Sequence, residues 1–525
     1  MGLQFVVGAK QVEAVQPATG FRALGRLIRL ELAAKESEAT VQTDIAGKPA
    51  AQPPHGLRHY DQLPGPRGIP LLGNALQIEA PRFHRQLEQW CGEYGPLFKL
   101  QIGNRKMLMV GDHQVVASLL RDRPDGLRRT SRFEEICIEM GLPLGVFAAN
   151  GDTWRRQRRM VMAGFDPAHI RRYFPALQAV SQRLVGRWQL AAQQGVVIDL
   201  QADLMRYTVD TIAGLAFGAQ VNTLESDDDV IQQHLDKIFP ALNKRILSPV
   251  PIWRFMRSAA DRQLERSIAQ VNSAVAGFIE QARQRMQVDP LVREHPRNLL
   301  EVMIAAADEP GSGIDDSQVA GNVLTMLLAG EDTTANTLAW MIHLLWRNPR
   351  ALTRAIDEVR RVVNDVSSPT FDELEQLSYV DACAHETMRL KPVAPIILLE
   401  TLHAMTIGDV QVPAGLTISS LMRCDSVSDK CLVRAAAFEP ERWLAEADPG
   451  AVANVAKHIS MPFGAGPRIC PGRYLALLEM KMAMAALLGN FDIESVDTPD
   501  GHEARERLAF TMTPVGLRMR LRRRA

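Results

Sequence analysis

The sequence predicts a mainly α-helical fold with small β-sheets, built as one large domain. A stretch from Asp315 or Asp316 to about Arg347 keeps helical apolar spacing, roughly 45 Å of helix at the usual rise per residue. Leu97 to Ile102 and Lys106 to Val110 read instead as two strands joined at Gly103-Asn104, the signal of a small sheet. No Gly/Ser linker or charge block divides the chain after about residue 60. Residues 1–55 therefore read as an N-terminal extension and linker, and residues 56–525 as the domain.

Bulk properties set the class. With 525 residues, 46% hydrophobic and 23% charged, the chain has an ordinary soluble globular composition and enough length for a large core. A formal net charge of +0 speaks against a nucleic-acid binder, whose basic footprint shows in the total. The six cysteines (Cys91, Cys137, Cys383, Cys424, Cys431 and Cys470) have no paired or CxxC spacing. Neither a disulfide framework nor a zinc site is expected, and a reducing compartment fits. No run reaches the ~18 apolar residues of a membrane span, and Met1 to Val7 is too short for a signal-peptide core. Phe21, Leu24, Leu27, Ile28 and Leu32 recur at helical spacing among Arg22, Arg26 and Arg29. That pattern reads as a dispensable helix ahead of a loose tail, with a peripheral membrane anchor or targeting segment as the alternatives. The expected location is cytoplasmic.

In chain order, Leu63 to Pro70 is a Pro/Gly entry segment with too few backbone donors for a regular element, and Leu71 to Leu76 continue it. Arg82 to Tyr94 reads as a helix before the two strands. Asp152 or Thr153 can cap a helix starting near Trp154, which puts Trp154 and Arg158 on one face. An indole N–H beside a guanidinium suits a carboxylate; the plainer reading is a solvated basic helix. Arg155, Arg156 and Arg159 point elsewhere and suggest an electropositive docking surface. From Pro167 to about Arg285 helical patterning dominates, and Asp308 to Gly313 is a loop. Within the long helix, Ala329-Gly330-Glu331-Asp332-Thr333-Thr334 combines poor helix formers with acids. A kinked or widened turn is expected there, because hydroxyl side chains admit water to the backbone ladder. Glu386 and Arg389 can pair on one face of a later helix, a weak signal by itself. Leu517 to Arg524 is a basic, solvated end to a final strand.

Phe463-Gly464-Ala465-Gly466-Pro467-Arg468-Ile469-Cys470-Pro471-Gly472 is too rich in Gly and Pro for helix or strand, and an apolar helix follows from Tyr474. A thiol ahead of a helix N-terminus, with Arg468 nearby, has its thiolate favoured. Cys470 is thus a candidate metal ligand or nucleophile, although a lone Cys in an apolar setting is commonly an inert small hydrophobe. Phe463, Gly464, Gly466, Arg468, Cys470 and Gly472 match without a gap the haem-binding loop of the cytochrome P-450 family, which the chain resembles from about Leu63 to Leu521.

The resemblance implies a cytochrome P-450 fold enclosing haem b (iron protoporphyrin IX), with Cys470 as proximal iron ligand. Phe463, Gly464, Arg468 and Gly472 would shape the cofactor loop, and Trp154 with Arg158 would hold a haem propionate. Asp332 and Thr333 match the family's acid–alcohol pair for proton delivery to dioxygen. Glu386, Arg389 and Arg442, the last within Phe438 to Trp443, match its buried charge network. One position departs: the Arg or His that usually serves the second propionate is missing from Leu398 to Thr401, leaving His403, or Arg468 with others. Val393 to Leu398 and Phe510 to Met512 match pocket-lining segments and are mainly apolar, which implies a lipophilic substrate such as a fatty acid, terpenoid or steroid. The implied enzyme is a monomeric haem-thiolate monooxygenase. Only about 55 residues follow Cys470. Electrons from NAD(P)H are therefore expected through a separate partner, a ferredoxin with its reductase or a diflavin reductase, docking near Trp154, Arg473 and Lys481. A peroxide-dependent or isomerising haem-thiolate enzyme, or a haem sensor, are the alternatives.

Overall fold

The long helix forms as Asp316–Arg347, started by a capping box in which Asp315 and Gln318 bond reciprocally to each other's backbone N–H. This computed structural model describes residues 56–218, 222–225, 230–444 and 453–524. The extension 1–55, with its helical pattern at Phe21 to Leu32, lies outside the described residues. From Leu57 onward the chain forms one compact unit.

Most of the long helix is buried, so it is the axis on which the other elements pack. The expected widened turn does not form: the α-helical pattern runs unbroken through Ala329 to Thr334. Three hydroxyls bond back to the carbonyl one turn earlier instead, Thr325 to Gly321 and Thr333 to Ala329 at 2.7 Å and Thr337 to Thr333 at 2.8 Å. Those bonds satisfy the side chains without opening the ladder. Helices Pro167–Gln194, Leu200–Phe217 and Ala259–Val288 start at Asp166, Asp199 and Ser258, whose side chains accept from first-turn N–H groups.

The main sheet has five strands, here β1 (Leu97–Ile102), β2 (Arg105–Val110), β3 (Leu127–Arg128), β4 (Ile396–Thr401) and β5 (Thr417–Leu421), in the order β1-β2-β5-β4-β3. The β1–β2 turn falls at Gly103, whose φ of +61° is cheap only for glycine. The Pro/Gly entry segment lies against β1, with Lys99 N–H donating to the Pro64 carbonyl at 2.9 Å. A Cβ on Gly65 would sit 2.2 Å from the Lys99 oxygen, so glycine is required at that approach. The last strand, Arg518–Arg523, alternates buried and exposed residues and carries the basic tail on its solvated side. No helix among the described residues is long and apolar enough to cross a membrane. All six cysteines are free.

Candidate active site

The thiol loop is closed by the Cys470 N–H, which donates to the Phe463 carbonyl at 2.9 Å. Gly466 has φ +70°, and a Cβ there would lie 2.6 Å from the Arg121 backbone, so the loop can approach its neighbour only as glycine. Gly464 also has positive φ, but a Cβ there would meet nothing within 4 Å. Gly472 is the N-cap of helix Arg473–Asn490. Burial pushes the Cys470 thiol up, while the Gly472 amide, Arg158 and Arg473 pull the other way. Desolvation wins, which reverses the thiolate preference that the helix N-terminus alone predicts. A metal cation at the sulfur would restore the anion. Cys470 lies deep in the molecule yet keeps accessible surface, as a side chain bordering an interior space does.

The tryptophan helix runs Gly151–Gly164 and begins before the expected caps: Asn150 is the N-cap residue, and its side chain does not cap. Asp152 pairs instead with Arg155 at 2.7 Å. Trp154 is buried, with the Arg468 guanidinium 4.6 Å from the centre of its ring. Arg158 Nη2 donates to the Ile469 carbonyl at 2.7 Å, so both helix residues reach the thiol loop. Arg468 also donates to the Ala149 carbonyl, and its Nε is buried with no hydrogen-bond partner.

On the long helix, Ala329 is exposed and Gly330, Asp332 and Thr333 are part-exposed, although Leu328, Glu331 and Thr334 around them are buried. In a helix this deeply packed, that stripe borders an interior space. The acid and the alcohol do not bond to each other. Asp332 accepts from the Thr511 hydroxyl and from Asn336 Nδ2, whereas Thr333 is tied to Ala329. Burial raises the Asp332 carboxyl, and the Thr511 and Asn336 hydrogen bonds oppose that shift. Gln201 continues the polar chain from Asn336 (3.3 Å) to Thr513 (2.8 Å). None of Asn336, Gln201 and Thr513 carries a motif in the sequence.

Glu386 and Arg389 are both fully buried and pair through two bonds, 2.8 Å from Nε and 2.7 Å from Nη2. Arg442 Nε lies 3.4 Å from Glu386, and Arg442 Nη2 lies 2.6 Å from Glu439. Trp443 Nε1 donates to Glu386 at 2.9 Å and Glu439 N–H at 2.9 Å, two partners that pair spacing alone does not reveal.

His403, one of the two alternatives for the second propionate, is exposed. One expectation is corrected. Lys481 is not a surface charge: it is buried beside Asp381 at 3.7 Å, because helix Arg473–Asn490 is apolar on every side. Arg155 is engaged by Asp125 and Asp152, and Arg156 is part-buried, so Arg159 and Arg473 remain as the exposed bases of that region.

Phe510 lies in an aromatic row that the sequence did not single out, 4.5 Å from Phe239 and 6.2 Å from Phe147, ring centre to ring centre. A deep cysteine that keeps some accessible surface, an open glycine in its loop, unmatched buried arginine N–H and an accessible helix stripe together fit a flat, dianionic, metal-bearing cofactor such as haem.

Comparison with known proteins agrees. The self-sufficient cytochrome P450 monooxygenase CYP505E5 of Aspergillus niger is 27% identical over 483 residues, covering 88% of this chain and 43% of that protein. The chain thus spans less than half the length of such relatives. The chloroplastic carotene epsilon-monooxygenase of Arabidopsis thaliana is 27% identical over 481 residues, covering 86% of this chain and 83% of the relative. The crystal structure of the cytochrome P450DA haem domain superposes with TM-score 0.76 at 24% identity, over 88% of this chain and 98% of that one, a likeness of fold. The family model described as Cytochrome P450 matches residues 63–520. That match takes in the loop at Cys470 and every residue of the site described above, and the chain belongs to the cytochrome P450 family.

Proposed function

We propose that the chain is a haem-thiolate monooxygenase that inserts one atom of dioxygen into a lipophilic small molecule. The observation that carries this is Cys470: deep, on a residue that keeps accessible surface, and held in a Gly/Pro loop between two arginines and a helix N-terminus. Cys470 would ligate the iron, Arg158, Arg468 and Trp154 would hold propionate, and Phe463, Gly464 and Gly472 would leave room for the ring. Bound haem supplies the iron that activates dioxygen, and its thiolate ligand favours O–O cleavage.

The chain's own residues do the rest. Asp332, raised by burial, can hold a proton and release it toward the interior, with Asn336 and Gln201 behind it. The Thr333 hydroxyl, on the accessible stripe, can hold an oxygen atom or water and pass the proton on. Phe147, Phe239 and Phe510 exclude water and favour an apolar substrate of the fatty acid, terpenoid or steroid type. Electrons come from NAD(P)H through a redox module of the ferredoxin or diflavin reductase type, docking at exposed Arg159 and Arg473. One relative is named a bifunctional cytochrome P450/NADPH–P450 reductase, so electrons of that type are used within the family. Six free cysteines favour the cytoplasm as the site of action.

The test is a screen of lipid classes for substrate-induced shifts of the Soret band, with the carbon monoxide difference spectrum of the reduced protein. A thiolate-type band that Cys470→Ser abolishes supports the ligand assignment; an unchanged band overturns it. Turnover with peroxide but with no reductase would favour a peroxide-dependent enzyme.

A further inference from the structure

Helix His113–Arg121 starts on Asp112, whose carboxylate accepts from the Gln114 and Val115 N–H groups at 2.9 Å. Its first residue is held twice by a carboxylate from a distant segment. Asp425 Oδ2 accepts from the His113 backbone N–H at 2.8 Å and lies 2.8 Å from the ring Nδ1. Two consecutive turns then bring Cys431 back beside Asp425. In them the Ser428 N–H donates to the Asp425 carbonyl at 3.2 Å, and the Cys431 N–H to the Ser428 carbonyl at 2.9 Å. The segment is anchored from beneath, because the buried Ser426 hydroxyl lies 3.1 Å from the Arg389 carbonyl and 3.0 Å from that of Arg423. As a result one ligating atom from each of His113, Asp425 and Cys431 lies within 4.8 Å of the other two.

One nitrogen, one sulfur and one carboxylate oxygen make a donor set suited to zinc, whereas calcium and magnesium take oxygen. Zinc bonds of about 2.0–2.3 Å put tetrahedral ligand atoms roughly 3.3–3.6 Å apart. Donors already within 4.8 Å therefore need only a small side-chain adjustment. The His113 and Asp425 side chains are each 22% exposed and Cys431 is part-exposed, so a cation can enter from solvent and water can fill a fourth position. The helix N-terminus opposes a cation with roughly half a positive charge, and Lys430 adds to it. Asp112, Asp425 and the thiolate that a bound metal creates supply three negative charges against them. A hydrogen-bonded His–Asp pair explains two of the three groups but gives no reason for a thiol beside both. His113 and Asp425 are 312 residues apart in the chain, so no ligand spacing announces the cluster.

We infer that His113, Asp425 and Cys431 form a binding site for a divalent cation of the zinc type, separate from the thiol loop and independent of the haem reading. The cation would tie the start of helix His113–Arg121 to the segment 425–431. The other end of that helix, at Leu120 and Arg121, is the backbone against which Gly466 packs. A filled site thus braces one support of the thiol loop.

The test uses the untagged full chain as purified, cleared of loose metal with a chelator and dialysed against a slight excess of zinc. One zinc per chain should be retained, and its X-ray absorption should show one sulfur at about 2.3 Å with nitrogen and oxygen at about 2.0–2.2 Å. Cys431→Ser should remove that sulfur and weaken binding about tenfold or more, and His113→Gln should weaken it similarly while the sulfur stays. Cys91→Ser and Cys424→Ser, the thiols flanking Gly111, and Cys470→Ser are controls that should keep both the zinc and its sulfur. No retained zinc, zinc without sulfur, zinc held equally by Cys431→Ser, or sulfur lost in a control instead overturns the inference. Should Cys431→Ser not fold, His113→Gln takes its place, and undiminished zinc affinity there overturns it. None of these outcomes bears on the haem reading.

Discussion

The Thr511 hydroxyl donates to the Asp332 carboxylate, tying the segment that presents Phe510 to the acid of the long helix. Substrate pocket and proton donor are thereby one mechanical unit. The bond favours the ionised form and opposes the upward push of burial. Thr511→Val removes one of the hydrogen bonds that hold the carboxyl down and should therefore raise Asp332 further. The limb of the pH–turnover profile that reports this carboxyl should move to higher pH. An unmoved limb would show that Asp332 does not titrate in turnover.

Thr333 has the opposite disposition. Its hydroxyl is on the accessible stripe and donates to the Ala329 carbonyl at 2.7 Å, leaving its oxygen lone pairs to accept from the interior space. Thr333→Ala should leave substrate binding near normal while product formed per NAD(P)H consumed falls severalfold and peroxide accumulates, because the proton no longer reaches its acceptor. Thr333→Ser should recover most of the coupling. Unchanged coupling in the Ala variant would sink the relay role.

Glu386 satisfies Arg389 and Arg442 in a region without solvent. Glu386→Gln keeps the shape and leaves two buried guanidinium groups short of negative charge, a loss of about 3–5 kcal/mol. The expected result is a large drop in the urea midpoint together with haem-poor protein. A loss of less than about 1 kcal/mol would mean that Glu439, 2.6 Å from Arg442, carries the network instead.

Much of this architecture was legible in the chain, and the reasons are local. Asp315 and Gln318 mark the start of the long helix because a capping box is written in neighbouring residues. Gly103 marks the β1–β2 turn because few residues tolerate its φ. The Cys470 loop is a contiguous string. What stayed hidden depends on distant segments meeting. His113, Asp425 and Cys431 share no motif, and they become neighbours only in the fold. Lys481 looks like a surface charge until Asp381 is brought beside it. Cys470 looks like an easy thiolate until burial is counted. The widened turn failed for a subtler reason: hydroxyl groups that can open a helix can equally bond back to it, as Thr333 does.

Glu479 gives a pH prediction that needs no substrate. It is buried on the helix after the thiol loop, hydrogen-bonded to Thr334 of the long helix, and its backbone carbonyl accepts from Tyr207 at 3.1 Å. Burial pushes its carboxyl up to about 8, from an ordinary 4.5. Below about pH 4.5 both folded and unfolded chains carry the proton, and Glu479 costs nothing. Between there and about pH 8 the unfolded chain has released it while the folded chain still holds it, so stability falls as pH rises. The full loss, on the order of 5 kcal/mol, is reached above about pH 8. Glu479→Gln keeps the size, cannot ionise, and should flatten this slope, making the variant more stable than wild type on the alkaline side and no better near pH 4.5. Urea midpoints of wild type and variant at about pH 5, 7 and 9 check this. Parallel curves would mean that Glu479 is ionised in the folded protein, with a counter-charge drawn to it.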